Sequence, residues 1–127
     1  MAERTVIIPP GSEKSYERFH FAPAVKVGDT VYCSGVIGGG DDPAEQFASA
    51  FESLANVLET AGCTMADIAE LTTYHVNMSE HLATFMAARD AVISEPYPAW
   101  TAIGVSELAM PNGLVEIQAT AVVDSAA

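Results

Sequence analysis

The sequence predicts a single α+β domain over residues 1–127, in which two helices cover one face of a mainly antiparallel sheet. Three observations indicate this fold class. Two segments carry apolar residues at helical spacing, the last segment alternates as a strand does, and short turn signals separate the other strand-like runs. The length fits one domain, and no repeat or linker divides the chain.

The N-terminal part of the chain is predicted to form strands. Residues 4–8 indicate a short strand, whereas residues 12–22 show no clear pattern. Residues 24–27 and 30–35 flank the dipeptide Gly28-Asp29, which is typical of the two-residue turn of a β-hairpin. We therefore expect a hairpin in this part of the sheet.

The first helix is the clearest element. Asp41 or Asp42 can cap its N-terminus, Pro43 suits its first turn, and Gly62 can end it. Apolar side chains recur at helical spacing along it, at Phe47, Phe51, Leu54, Val57, Leu58 and Ala61. This face is expected to lie against the sheet.

A strand and a second helix follow. Residues 68–77 are rich in β-branched side chains and predict the strand, after which Ser79 can cap the helix. Pro96 and Pro98 stop the helical pattern. The broad face predicted for this helix comprises Leu82, Phe85, Met86, Arg89, Val92 and Ile93.

Two strands are predicted to finish the chain, over residues 101–109 and 114–124, with a turn at 110–113 between them. One row of the final strand is apolar and is expected to lie under the helices: Val115, Ile117, Ala119, Ala121 and Val123. The other row mixes apolar with polar side chains: Leu114, Glu116, Gln118, Thr120 and Val122. Such a row suits a half-hydrated surface between subunits better than open solvent.

Composition and charge restrict the classes of partner. Half of the residues are apolar and 17% are charged. This apolar content exceeds what one small domain can bury alone, so we expect a homo-oligomer. The formal charge of −12 disfavours nucleic acid, because nucleic-acid binding needs cations to neutralise phosphates. No apolar run approaches the roughly 20 residues of a membrane span, and the N-terminus lacks a signal-peptide pattern. We therefore expect a cytoplasmic protein without membrane contact.

Histidines and cysteines give no sign of a metal or cofactor site. His20, His75 and His81 do not show the spacing of metal ligands, so no metal is predicted. His75 lies within a predicted strand and is expected to pack there as a hydrogen-bonded residue. Cys33 and Cys63 form no CxxC pair and fit buried thiols in a reducing compartment.

Glu116 is the first candidate for proton transfer. A carboxylate inside an otherwise apolar strand is costly unless it is paired or used, although a structural hydrogen bond across an interface explains it equally well. Ser34 and Gly35 end a strand without the pattern of a nucleophile elbow, which favours a pocket edge. Trp100, the only tryptophan, suits either core packing or the wall of a pocket.

Several motifs together resemble the Rid family, the YjgF-type imine deaminases. The matching segments occur in the same order over nearly the whole chain, at residues 24–29, 33–35, 54–58, 61–62 and 115–119. Residues 3–5 and 96–105 are most similar to the YjgH-type branch of that family. The resemblance implies a chorismate-mutase-like fold, assembled as a homotrimer around a central barrel with three clefts between neighbouring subunits.

The resemblance also implies a chemistry that needs no cofactor. RidA-type clefts hydrolyse 2-imino acids to 2-oxo acids and ammonia. An arginine after a Pro-Ala pair binds the substrate carboxylate, and a glutamate matched here by Glu116 helps to place water. In this chain Trp100 follows Pro98-Ala99, so that arginine is absent, and most of the affinity for a carboxylate is expected to be lost with it.

Other positions of the implied substrate-binding set also depart from the RidA pattern. Phe21 replaces a tyrosine, Met86 an asparagine and Ala102 a cysteine, whereas Ser34 and Gly35 are retained. Another cation, such as Arg89, could replace the missing arginine.

We therefore expect a small-molecule enzyme, a deaminase or hydrolase acting on an imine or enamine-like compound without a carboxylate. Glu116 would orient water and Trp100 would stack on a neutral or cationic ring. The alternative is a non-catalytic binding or regulatory protein on the same trimer, and turnover that depends on Glu116 separates the two. A ribonuclease is disfavoured by the charge of −12.

Overall fold

The computed structural model describes residues 2–123. That part of the chain contains seven strands, three α-helices and a short 3-10 helix, Met65–Asp67. The strands are β1 (Thr5–Ile7), β2 (Ala24–Val27), β3 (Thr30–Cys33), β4 (Val36–Ile37), β5 (Ile68–His75), β6 (Ala99–Gly104) and β7 (Val115–Val122). The helices are α1 (Glu13–Phe19), α2 (Pro43–Thr60) and α3 (Met78–Asp90). One mixed sheet has the order β1-β2-β3-β7-β5-β6, and β4 also pairs with β7.

Helix α2 confirms the sequence prediction closely. Asp42 caps it by accepting a hydrogen bond of 2.9 Å from the Glu45 amide, and Pro43 is its first residue. Gly62, just beyond its end, has φ of +82°, a conformation that other residues adopt only at a cost. The predicted apolar face is buried at all six positions, Phe47, Phe51, Leu54, Val57, Leu58 and Ala61.

The alternation of β7 is also confirmed. Its helix-facing row is buried at Val115, Ile117, Ala119 and Ala121. The opposite row, which includes Glu116 and Gln118, is half-buried or exposed. Position 124, the predicted end of this strand, lies outside the described residues.

The sheet is mainly antiparallel, as predicted, but the prediction that its last two strands form a hairpin is wrong. Strand β6 pairs in parallel with β5, whereas β7 lies between β3 and β5 and is antiparallel to both. Parallel neighbours need a crossover, and α3 supplies it. The predicted turn at 110–113 is present, with the Gly113 amide donating to the Met110 carbonyl at 3.1 Å, but it joins a long loop to β7. The strand predicted over 101–109 corresponds to β6, which is shorter and starts two residues earlier, at Ala99.

The prediction of two helices is corrected to three. Helix α1 has seven residues and none is buried, so it offers no apolar stripe that a sequence pattern could show. The two-residue strand β4 was likewise not predicted, and the strand predicted over 68–77 ends at His75. Helix α3 begins at Met78, just before the predicted cap Ser79. No helix within residues 2–123 is long and apolar enough to span a membrane.

Helices α2 and α3 meet around one buried aromatic cluster. Phe85 is the buried residue of α3, and its ring lies 5.6 Å from that of Phe47 and 5.5 Å from that of Phe51. The broad apolar face predicted for α3 is narrower than expected, because Met86 and Val92 are 37% and 44% exposed. The helices therefore close one face of the sheet through a narrow contact centred on Phe85.

Candidate functional site

The candidate residues fall into two groups on opposite faces of the sheet. The register places Trp100 beside Leu71 and Glu116 beside Tyr74. Leu71 and Tyr74 lie three residues apart on β5, so their side chains point to opposite faces. Leu71 is buried under the helices. Within one chain, Trp100 therefore points toward the helices and Glu116 points away from them.

Glu116 lies half-buried on β7, between Ile37 of β4 and Tyr74 of β5. Its carboxyl group packs directly on the backbone at Gly35. A Cβ atom added to Gly35 would lie 2.6 Å from both the carboxyl carbon and one carboxyl oxygen of Glu116. A larger residue at position 35 would therefore require the Glu116 side chain to move.

Ser34 connects the same region to the segment that contains Phe21. Its hydroxyl donates to the Ala22 carbonyl at 2.7 Å, and its amide donates to the Pro23 carbonyl at 2.9 Å. The hydroxyl is thus engaged with the backbone, which fits the predicted pocket edge. Phe21 is 49% exposed and lines a shallow cavity next to α1 together with Tyr16. Ser34, Gly35 and Glu116 form a connected region, and Phe21 lies at its border.

Trp100 forms the centre of the second group. Its indole nitrogen donates to Thr73 Oγ1 at 2.9 Å, and its ring is nearly parallel to that of Phe85 at 6.2 Å. The guanidinium carbon of Arg89 lies 4.5 Å from the centre of the indole. Ala102 pairs with Thr73 in the register, so its side chain shares the Trp100 face.

A cavity of about 670 Å³ lies beside Trp100. Its apolar lining comes from Leu71, Ile93, Tyr97, Pro98 and Trp100, and its polar lining from Arg89, Asp90 and Ser94. Arg89 donates from Nε and Nη2 to the same oxygen of Asp90, at 3.1 and 2.9 Å. The positive charge at the cavity is therefore compensated by a neighbouring carboxylate. Met86, exposed on α3, is not part of this lining.

His75 confirms the expectation of a hydrogen-bonded packing residue in a strand. It is 1% exposed, its Nε2 lies 2.7 Å from Thr73 Oγ1, and its ring is perpendicular to that of Phe85 at 4.7 Å. Burial lowers the pKa of His75 below its ordinary value. Cys33 and Cys63 are free and buried. Within residues 2–123 no three His, Cys, Asp or Glu side chains converge as metal ligands would.

Sequence reasoning missed Thr73, which contacts both Trp100 and His75. The signal for it was the alternation of the strand, because Leu71, Thr73 and His75 form the buried row of β5. Two polar residues in a buried row require hydrogen-bond partners. That requirement points to the only tryptophan of the chain as the donor.

The sequence of the chain is similar to those of several known proteins. Residues 13–123 match the family model described as endoribonuclease L-PSP. The chain is 34% identical over 116 residues to the RutC family protein YjgH of Escherichia coli (strain K12). The alignment covers 86% of this chain and 88% of that protein. It is 31% identical over 118 residues to a 2-iminobutanoate/2-iminopropanoate deaminase of Dermatophagoides farinae, covering 82% of this chain and 86% of that enzyme.

The fold has close counterparts among solved structures. Rv2704 of Mycobacterium tuberculosis, a member of the YjgF/YER057c/UK114 family, superposes with a TM-score of 0.86 at 30% identity, covering 95% of this chain and all of the other. The similarity in fold therefore extends over nearly the whole chain.

Proposed function

The chain belongs to the Rid/YjgF family, also called the endoribonuclease L-PSP family, and on that basis we propose that it hydrolyses a small imine or enamine-like compound without a cofactor. Similarity to a 2-iminobutanoate/2-iminopropanoate deaminase supports this type of reaction. The observation that carries the proposal is Glu116, a half-buried carboxylate packed against Gly35 on the face that the helices leave open. A carboxylate in such a place can accept a proton from water.

The reaction needs one base and one water molecule. Glu116 takes a proton from water as the oxygen attacks the C=N carbon and returns that proton to the nitrogen, which gives a neutral tetrahedral aminoalcohol. The same carboxylate then takes the hydroxyl proton as the carbonyl forms and passes it to the nitrogen, which leaves as ammonia. Imine and water are thus converted to a carbonyl compound and ammonia, with no electron acceptor required.

The proposed substrate lacks a carboxylate. Trp100 offers no positive charge, and Arg89, the cation nearest to it, is paired with Asp90 at 2.9 Å. A guanidinium already bound to a carboxylate attracts a second one weakly. Arg89 also lies over the indole, so a cationic ligand would compete with it for that side of the ring. These contacts favour a neutral imine.

The proposed site combines two copies of the chain. Trp100 and Glu116 lie on opposite faces of one sheet, so a cleft that contains both needs one residue from each of two neighbours. We propose a homotrimer with three such clefts, in line with the exposed apolar side chains Phe19, Tyr32 and Val122, which are 61%, 53% and 47% exposed. Light scattering should give the mass of a trimer, and a monomeric mass would contradict the two-copy site.

Turnover is tested by two parallel assays. An amine oxidase generates imines without a carboxylate, an amino-acid oxidase generates 2-imino acids, and slower semicarbazone formation reports hydrolysis of the imine. We expect activity in the first assay and little in the second, with the first abolished by Glu116→Gln. Asp90→Asn is the matched variant for substrate charge. It frees Arg89 and should raise activity toward 2-imino acids. Equal activity of the wild type on imines with and without a carboxylate would contradict the proposed preference.

Mixed trimers test where the site lies. Glu116→Gln and Trp100→Ala chains are co-refolded in equal amounts, each being inactive alone. If the cleft joins neighbours, about one cleft in four regains both wild-type residues. If both residues served the same chain, no cleft would recover, because every chain carries one substitution.

A non-catalytic binding protein is the second candidate function. The contacts of Trp100 favour it, because the indole N–H is engaged by Thr73 and the ring contacts Phe85 and Arg89, as in the fixed wall of a binding site. In that case neutral ring compounds should stabilise the protein in thermal unfolding without being converted. Ligand binding without turnover of any imine tested would favour this alternative.

A further inference from the structure

A chain of hydrogen bonds leads from Trp100 into the core. The indole Nε1 lies 2.9 Å from Thr73 Oγ1, and the same oxygen lies 2.7 Å from His75 Nε2. Thr73 is 0% and His75 1% exposed. The polar atoms therefore meet where water does not compete for them, and a broken bond there leaves a buried group unpaired.

Chemistry determines the direction of the first bond. An indole N–H can only donate, so Thr73 Oγ1 is the acceptor of the Trp100 bond. The bond between Thr73 Oγ1 and His75 Nε2 has either direction, according to which imidazole nitrogen carries the proton. Nδ1 of His75 is buried and has no partner among the described residues, so Nε2 makes the hydrogen bond of this ring. Burial lowers the pKa of His75 and so favours the neutral ring.

We propose that Thr73 and His75 are positioning residues that hold the Trp100 indole in one orientation at the edge of the 670 Å³ cavity. The other contacts of the ring, with Phe85 and Arg89, are less directional than a hydrogen bond and would allow it to tilt. The chain from Thr73 to His75 therefore defines the surface that a ring-bearing ligand meets. This inference rests on the proposed function only in assigning ligand contact to Trp100.

The polar row is not required for packing alone. Valine has nearly the shape of threonine and would fill the same place, with no buried hydroxyl to satisfy. Thr73 instead accepts from the indole on one side and is hydrogen-bonded to His75 Nε2 on the other. A residue that serves only to fill space does not need both bonds.

The chain offers a direct optical test, because Trp100 is its only tryptophan. Thr73→Val removes the hydroxyl, Thr73→Ser retains it, and His75→Phe removes the imidazole that Thr73 bonds. Thr72→Val is the matched control, since Thr72 is the neighbour of Thr73 on the opposite face of β5. Indole fine structure in near-UV circular dichroism and acrylamide quenching of the emission report the order of the ring, and far-UV spectra confirm folding.

We expect Thr73→Val to lose the indole fine structure and to quench more readily, with Thr73→Ser and Thr72→Val behaving as the wild type. His75→Phe should change both signals in the same direction as Thr73→Val. Unchanged signals in Thr73→Val would overturn the positioning role. Should Thr73→Val not fold, the comparison of His75→Phe with Thr73→Ser decides in the same way.

A ligand comparison separates this inference from the proposed function. Benzaldoxime, a neutral ring-bearing imine analogue, and the aliphatic butyraldoxime are compared by thermal shift in the wild type and in Thr73→Val. Stabilisation by benzaldoxime should fall selectively in the variant. If benzaldoxime does not stabilise even the wild type while the spectra change as expected, the ligand class is wrong and the positioning role stands. If benzaldoxime stabilises the wild type and Thr73→Val equally, Thr73 does not define the ligand surface.

Discussion

The two faces of the sheet differ in how far one chain completes them. On the face toward α2 and α3, the strands present buried side chains such as Val31, Leu71 and Ile117, and the helices close over them. On the opposite face, Tyr32 and Ile103 are 53% and 40% exposed, and Glu116 is half-buried among them. The first face shows how hydrophobic burial makes one chain fold, and the second carries the proposed chemistry. A partner surface fits the second face better than open water does.

The largest expected effect is on the helix-covered face, at Phe85. Phe85→Ala removes the ring that contacts Phe47, Phe51, His75 and Trp100, and should lower the free energy of unfolding by about 3–5 kcal/mol. Urea unfolding measures this loss. The adjacent substitution Met86→Ala, at an exposed position, is the control and should cost far less. Equal losses would mean that the face is not closed around Phe85.

The next effect concerns the open face, at Gly35. Gly35→Ala places a Cβ 2.6 Å from the Glu116 carboxyl group, so this flexible side chain must move, at about 1 kcal/mol or less. Thermal and urea unfolding measure the cost, and imine hydrolysis should fall with it. Gly39→Ala is the control, because nothing lies within 4 Å of a Cβ at that position. If both variants behave as the wild type, the contact with Gly35 does not constrain Glu116.

Lower pH should weaken the helix-covered face through His75. Burial lowers its folded-state pKa below the ordinary 6.5, so between these two values the unfolded chain binds a proton that the folded chain does not. Stability should therefore fall as the pH decreases below about 6.5 toward the folded-state pKa. Urea titrations at successive pH values from neutral downward measure the free energy of unfolding. This free energy should fall less steeply with decreasing pH in His75→Phe than in the wild type. An identical slope in variant and wild type would contradict burial of the neutral ring.

The smallest expected effect leaves stability unchanged and concerns the thiols. Burial, with a further contribution from Cys63, raises the pKa of Cys33 to about 11, and burial also raises that of Cys63. At a pH of about 8 the Cys33 thiolate is then about a hundredfold scarcer than for an ordinary thiol. Iodoacetamide should label Cys33 slowly in the native protein and rapidly in urea. Fast native labelling would show that the helix-covered face opens readily.

The accuracy of prediction also differs between the two faces. The buried face of α2 and the alternation of β7 were predictable because burial imposes a period on the sequence, at Phe47 to Ala61 and at Val115 to Ala121. Helix α1 buries no residue, so it left no period to find. The parallel pairing of β6 with β5 was missed because strand patterns do not name their partners.

The residues of the candidate site also differ in how far the sequence could predict them. Glu116 could be selected as a candidate from the sequence, since a carboxylate in an apolar strand is unusual whatever the fold. Its contact with Gly35 could not be predicted, because Gly35 lies far from it in the chain and only the pairing of β4 with β7 brings the two together. The Asp90 partner of Arg89 is adjacent in sequence, but adjacent residues on a helix do not usually face each other, so the pair became evident only from side-chain geometry.

The sequence by itself determined the α+β class, the place of α2, the hairpin at Gly28 and the family. These depend on local periodicity, turn residues and residue identity, all of which can be read along the chain. Only the tertiary structure decided that Trp100 and Glu116 face opposite ways and that Thr73 and His75 engage the indole. Those facts follow from strand register, because a shift of one residue would turn every side chain of a strand to the other face.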